Sequence, residues 1–166
     1  MLTVEAAARL AEGAHGAARS SSGGLVLDHV HRVADAMRED PDPYAVTAAL
    51  LHDTVEKTAF GWDDLRAAGA DDRLLVLIDA LTECYVESEV HYLARCARDP
   101  LACRIKRADI LDKLPTGAAG PRPDEDARST GRARAQRRLA LLEWLAAQGR
   151  HDRERLGSSR DDQLVT

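Results

Sequence analysis

Apolar positions recur at helical spacing along most of the chain and nowhere alternate for long enough to make a strand. Leu2, Ala6, Leu10 and Ala14 mark one face of a first helix, which Thr3 can cap and which runs to about His15. Ser20 to Gly24 reads as a loop, and a second helix follows from about Leu27 to Met37. Asp42-Pro43 is a helix start, with Asp as cap and Pro in the first turn. The third helix is expected to continue to about Glu56, with Val46, Ala49 and Leu50 turned inward. A short helix over Trp62–Ala68 stops at Gly69, and another spans Asp71–Thr82 with Leu74, Leu77, Ile78 and Leu81 on one side. A further helix covers about Ser88–Arg98. Asp99-Pro100 repeats the cap-and-proline signal and opens a helix to about Leu114. Residues 115–125 are a Pro- and Gly-rich loop. A last helix, about Asp126–Gln148, points Leu139, Leu142 and Leu145 inward and its arginines outward.

The pattern predicts an all-α, single-domain helical bundle of seven to nine helices over residues 1–149. Residues 150–166 form a polar, weakly ordered tail. No internal repeat interrupts this plan. A length of 166 residues is enough to bury about two-thirds of the unfolded surface, so neither a disulfide nor a structural metal is needed for a core. Ala and Leu dominate and aromatics make up only 4%, which favours helix on helix.

Composition removes several function classes. The formal charge of −5, with acids and bases intermixed, argues against a nucleic-acid binder. No apolar run approaches the roughly 20 residues of a membrane span. The first residues lack the basic start and apolar centre of a signal peptide. Cys84, Cys96 and Cys103 are odd in number and lack metal-type spacing, so they read as small apolar residues of a reduced, cytoplasmic protein.

Candidate chemistry gathers in three segments. Ala48–Thr58 (AALLHDTVEKT) ends an apolar helix on His52 and Asp53, and burying either without a partner is costly. Glu56 follows on the same side of that helix. Leu27–Met37 (LDHVHRVADAM) brings His29 beside apolar residues. Ile105–Leu114 (IKRADILDKL) sets Asp109 among Ile105, Ile110 and Leu111. Imidazole and carboxylate together suit a divalent first-row metal ion, and helical bundles build such sites from facing helices. Taken alone, the His-Asp pair reads more readily as a helix-end histidine and a solvated aspartate.

The order of these residues, His, then His-Asp, then Asp, resembles the signature of the HD-domain superfamily of metal-dependent phosphohydrolases. The wording is more specifically similar to the hydrolase domain of RelA/SpoT-type alarmone enzymes and their small single-domain relatives. It covers about residues 5–115: His15–Arg19 (HGAAR), His29–Ala34 (HVHRVA), Ala49–Thr58 (ALLHDTVEKT) and Ala108–Lys113 (ADILDK). The resemblance implies an HD-type helical fold with His29, His52, Asp53 and Asp109 as ligands of one divalent metal. Manganese comes first, with iron, cobalt, zinc or magnesium as alternatives. It implies hydrolysis of a phosphorylated nucleotide, foremost guanosine 3′,5′-bis(diphosphate) at the 3′-pyrophosphate, with another nucleotide phosphatase or phosphodiesterase as the alternative. Glu56 would handle the proton of the attacking water. Arg19 falls where the family has a basic residue beside the base, and a guanidinium can stack on a purine. His31 reads as a surface or supporting histidine, His15 as structural, His151 as solvated, and His91 has no assigned role.

Two positions depart from the family pattern. Its Glu-Asp pair is Glu56-Lys57 here, and its Asn after the last ligand is Lys113. Lys57 stands at a catalytic position and Lys113 at a substrate-binding one. The lysines could hold phosphates, pair with Asp112, Asp63 or Asp64, or mark a non-catalytic nucleotide-binding protein. An oxidative two-iron centre would need further histidine ligands, for which only His31 and His91 are spare. The basic run Arg132–Arg138 reads as a solvated helix face. The expected partner is a small phosphorylated nucleotide, with no nucleic acid and no membrane; self-association stays open.

Overall fold

The computed structural model describes residues 2–20, 23–114 and 125–161, with side chains of the last helix described over 131–151. Among these residues the chain forms nine helices and no strand beyond a single isolated bridge between Arg19 and Leu25. They are α1 (Val4–His15), α2 (Val26–Ala36), α3 (Ala45–Leu51), α4 (Thr54–Lys57), α5 (Trp62–Ala67), α6 (Asp72–Leu81), α7 (Glu89–Arg98), α8 (Pro100–Asp112) and α9 (Glu125–Asp161). No described helix is long and apolar enough to cross a membrane.

Capping side chains set four of the nine starts. Thr3 Oγ1 accepts from the Ala6 N–H at 3.2 Å, Asp71 from Leu74 at 3.1 Å and Ser88 from His91 at 3.3 Å. Asp99 accepts from both Leu101 and Ala102, with Pro100 in the first turn of α8. Each such cap contributes about 1 kcal/mol.

Two apolar clusters hold the bundle. The larger joins α1, α2, α3, α5 and α6 to the first half of α8 through Ala7, Val30, Val33, Leu51, Leu65, Leu77, Ile78 and Ile105. The smaller packs Tyr92, Leu93 and Cys96 of α7 and Ile110 of α8 against Ala135, Leu142 and Ala146 of α9. Helix α8 belongs to both, so it is the element that ties the two halves together.

Three segments differ from the sequence expectation. The expected third helix divides into α3 and α4 at His52-Asp53. There His52 Nδ1 lies 2.7 Å from the Ala49 carbonyl, taking up an acceptor that a continuing helix would use for its backbone. The last helix reaches Asp161, past its expected end near Gln148. Arg138 is not on a solvated face: its side chain is 15% exposed, pairs with Glu83 and Glu89, and lies over the Tyr92 ring at 5.7 Å. Of the cysteines, Cys96 is buried, Cys103 half-buried and Cys84 exposed; none is in a disulfide.

Candidate metal centre

Helices α2, α3 and α8 pack on one another, and each brings a polar group to the place where they meet. His29 comes from the first turn of α2, His52 from the end of α3, Asp53 from the break before α4, and Asp109 from the last turn of α8. All four are buried. His29, His52 and Asp53 each offer a donor atom within 4.8 Å of the others. Asp109 Oδ1 closes the set, 3.1 Å from His29 Nε2 and 3.7 Å from His52 Nε2. Asp53 completes it from the other side, with Oδ2 3.7 Å from His29 Nε2 and Oδ1 3.5 Å from His52 Nε2.

The outward nitrogens of both imidazoles are fixed. His29 Nδ1 lies 2.6 Å from Asp112 Oδ2, and Arg32 holds that carboxylate with two hydrogen bonds. His52 Nδ1 lies 2.7 Å from the Ala49 carbonyl. In the neutral tautomer that donates from Nδ1, each ring has its Nε2 lone pair free and aimed inward, which is how metal-bound histidines are held. Both Nε2 atoms are buried and make no hydrogen bond. Two such nitrogens and two buried carboxylates are a donor set that fits one divalent ion.

Electrostatics keep the carboxylates ionised. Burial pushes the Asp53 pKa up, but His52 and then Lys57 outweigh it and hold the group well below the ordinary carboxylate range. At Asp109 burial again opposes, and Lys106, His29 and His52 together depress the pKa. Their unfolded values lie near 3.9. Because the folded values are lower, ionisation of this pair stabilises the fold fully above about pH 4 and loses that contribution as the pH falls further. The thermal midpoint is therefore expected to drop between pH 5 and pH 3, and Asp53→Asn should flatten that drop; an unchanged acid profile in the variant would contradict the assignment.

Lys57 and Lys113 pair with none of the acids that the sequence suggested for them. Lys57 Nζ contacts Asp53 Oδ2. Lys113 Nζ lies 2.5 Å from Asp109 Oδ1. Asp63 instead pairs with Arg66, Asp64 caps the Gly61 N–H, and Asp112 serves His29 and Arg32.

Glu56 is exposed, and its Oε2 accepts from the Glu83 N–H at 3.0 Å, which ties the α6–α7 loop to α4. Arg19 is exposed and donates to the Gly23 carbonyl at 2.7 Å, closing the loop before α2. His31 is half-buried; His91 and His151 are exposed.

Three groups matter more than their sequence setting suggested. Asp112 orients His29, and its spacing from Asp109 on one helix face is the signal that marks it. Lys106 is buried and donates to Asp109 Oδ2 at 2.7 Å. His15, at the end of α1, is buried with an unpaired Nε2. Burial lowers its pKa, Asp53 opposes, and His52, Lys57 and His29 add to the lowering, so it belongs to the electrostatic neighbourhood of the centre.

No family model matches the chain. A GTP pyrophosphokinase of Streptomyces coelicolor is 32% identical over 123 residues, spanning 68% of this chain and 14% of that protein. A GTP pyrophosphokinase of Streptomyces antibioticus is 31% identical over the same length and the same shares. The chain therefore spans about one-seventh of the length of these relatives. Among solved structures, a metazoan orthologue of SpoT, described as hydrolysing ppGpp and acting in starvation responses, matches with a TM-score of 0.61 and 21% identity, over 90% of this chain and 94% of that one. The chain shares the all-helical fold of that SpoT orthologue and is similar in sequence to one segment of the GTP pyrophosphokinases.

Proposed function

We propose that the chain is a metal-dependent phosphohydrolase acting on a phosphorylated nucleotide, with guanosine 3′,5′-bis(diphosphate) as the favoured substrate and its 3′-pyrophosphate as the group released. One observation carries this reading. Two inward-facing imidazole nitrogens, each with its other nitrogen already engaged, meet two buried carboxylates at the junction of three helices. The named activity of the SpoT orthologue supports the substrate.

His29, His52, Asp53 and Asp109 would hold the ion, for which manganese is the first candidate. When bound, it supplies a Lewis acid for a phosphoryl oxygen and acidifies a water for attack. Asp112 and the Ala49 carbonyl keep the two imidazoles oriented. Glu56, one helical turn beyond His52, is the nearest exposed carboxylate on that segment and takes the proton of the attacking water once it leaves the Glu83 amide. Arg19 and Lys113, both reachable from solvent, hold the base and a phosphate.

A second reading has its own support. Lys57 and Lys113 lie on the carboxylates that would ligate the ion, which suits a nucleotide-binding protein without turnover. The purified chain with manganese, assayed against a nucleotide panel, separates the two. Release of pyrophosphate and GDP from guanosine 3′,5′-bis(diphosphate) is expected. Tight nucleotide binding with no turnover of any phosphoester would establish the second reading.

A further inference from the structure

The chain has 23 Lys and Arg residues, and only Lys57, Lys106 and Lys113 are lysine. All three reach the same two carboxylates. Lys57 sits on Asp53 Oδ2, the oxygen that faces His29 Nε2. Lys113 sits on Asp109 Oδ1, the oxygen that faces both imidazoles. Lys106 takes Asp109 Oδ2 instead. A protein that uses arginine everywhere else thus places its lysines around one cluster. The distinction is physical: an arginine fork locks onto a carboxylate in two-point geometry, whereas an ammonium on a flexible stem is a single-point charge that can be exchanged.

The three are not equivalent. The Lys106 side chain is 7% exposed and lies 4.8 Å above the Tyr92 ring, so it is fixed. The Lys57 and Lys113 side chains are 35% and 46% exposed, and their stems can turn outward into water.

We infer that Lys57 and Lys113 are built-in competitors for the metal, holding the very carboxylate oxygens a divalent ion needs, so that the ion binds by displacing both ammonium groups. This rests on the metal-centre reading above. A divalent ion cannot share these oxygens comfortably with two ammonium groups, because like charges a few ångströms apart repel by several kcal/mol at the effective dielectric of such a site. Lys106, on the oxygen turned away from the imidazoles, stays. The displaced ammonium groups remain tethered at the rim, where they meet the phosphates of an anionic substrate. Metal affinity is therefore set below what the four ligands alone would give, and it is coupled to where the lysines are.

Manganese titration calorimetry on the full chain tests this. Lys57→Gln and Lys113→Gln are each expected to tighten manganese binding by on the order of tenfold or more, within the range of couplings between charged sites. A second measurement needs no variant. Amine labelling of the wild-type protein, read by mass spectrometry, has only three lysine side chains to resolve. Manganese should raise labelling of Lys57 and Lys113 and leave Lys106 protected. Unchanged or weaker manganese affinity in both variants, or unchanged labelling of Lys57 and Lys113 on saturation, overturns the competition. Absence of manganese binding to wild type and to both variants overturns the metal centre itself, which is a different outcome.

Discussion

Asp109→Ala is expected to lower the unfolding free energy by about 3–5 kcal/mol, the cost of removing one partner from a buried ion pair and leaving the other charged. Lys106 is the stranded partner. It is 6% exposed, bonded to Asp109 Oδ2 at 2.7 Å, and has the face of Tyr92 as a second attraction. Burial alone would lower its pKa, and Asp109 is the group that offsets this and holds it charged. Since Asp109 also belongs to α8, which ties the two apolar clusters, the loss should spread through the whole bundle. Urea denaturation at neutral pH reads the effect. The double variant Lys106→Met, Asp109→Ala should recover much of the stability, because it removes the stranded charge and leaves an apolar stem against Tyr92. If the single variant is as stable as wild type, the Lys106–Asp109 pair does not hold the fold in this way.

His52→Ala is expected to remove metal binding and turnover together. It deletes one of two inward nitrogens, so the loss should exceed the 10- to 100-fold that outer partners of a metal site typically cost. Asp112→Asn supplies that comparison, since Asp112 acts on the site only by orienting His29. The fold should survive His52→Ala, because its side chain makes one hydrogen bond, to Ala49, and the apolar clusters do not depend on it. Calorimetry with manganese and a far-ultraviolet spectrum check both halves. Unfolding with unchanged metal affinity per folded molecule would mark His52 as a packing residue instead.

Much of this was legible because helices advertise themselves. The 3.6-residue recurrence of Leu74, Leu77, Ile78 and Leu81 and the caps Thr3 and Asp99 place most helices to within a residue or two. The break at His52-Asp53 was not legible from periodicity, because the residues on both sides keep an apolar face; a side-chain bond to the Ala49 carbonyl makes it. Arg138 was misread for a related reason. A cation on a polar-looking run gives no sign in sequence that Glu83, Glu89 and the Tyr92 ring wait for it on other elements.

The candidate site divides in the same way. His29, His52, Asp53 and Asp109 stood out as polar residues on apolar faces in a recognisable order, and the fold brings them together. The lysine pairings had a local signal that distant acids obscured. Asp53 and Lys57 are four residues apart, as are Asp109 and Lys113, and that spacing places charges side by side on a helix. His15 carried no such signal, since its approach to the cluster depends on how α1 packs against α3 and α4.

The most direct measurement is a crystal structure of the protein loaded with manganese, read by anomalous scattering at the metal edge. The account predicts one ion bound by His29 Nε2, His52 Nε2, Asp53 and Asp109 at roughly 2.0–2.3 Å, the range for nitrogen and oxygen donors. It also predicts Lys57 and Lys113 turned away from those carboxylates. An ion held elsewhere, or no ion at saturating manganese with both lysines still on Asp53 and Asp109, would contradict it.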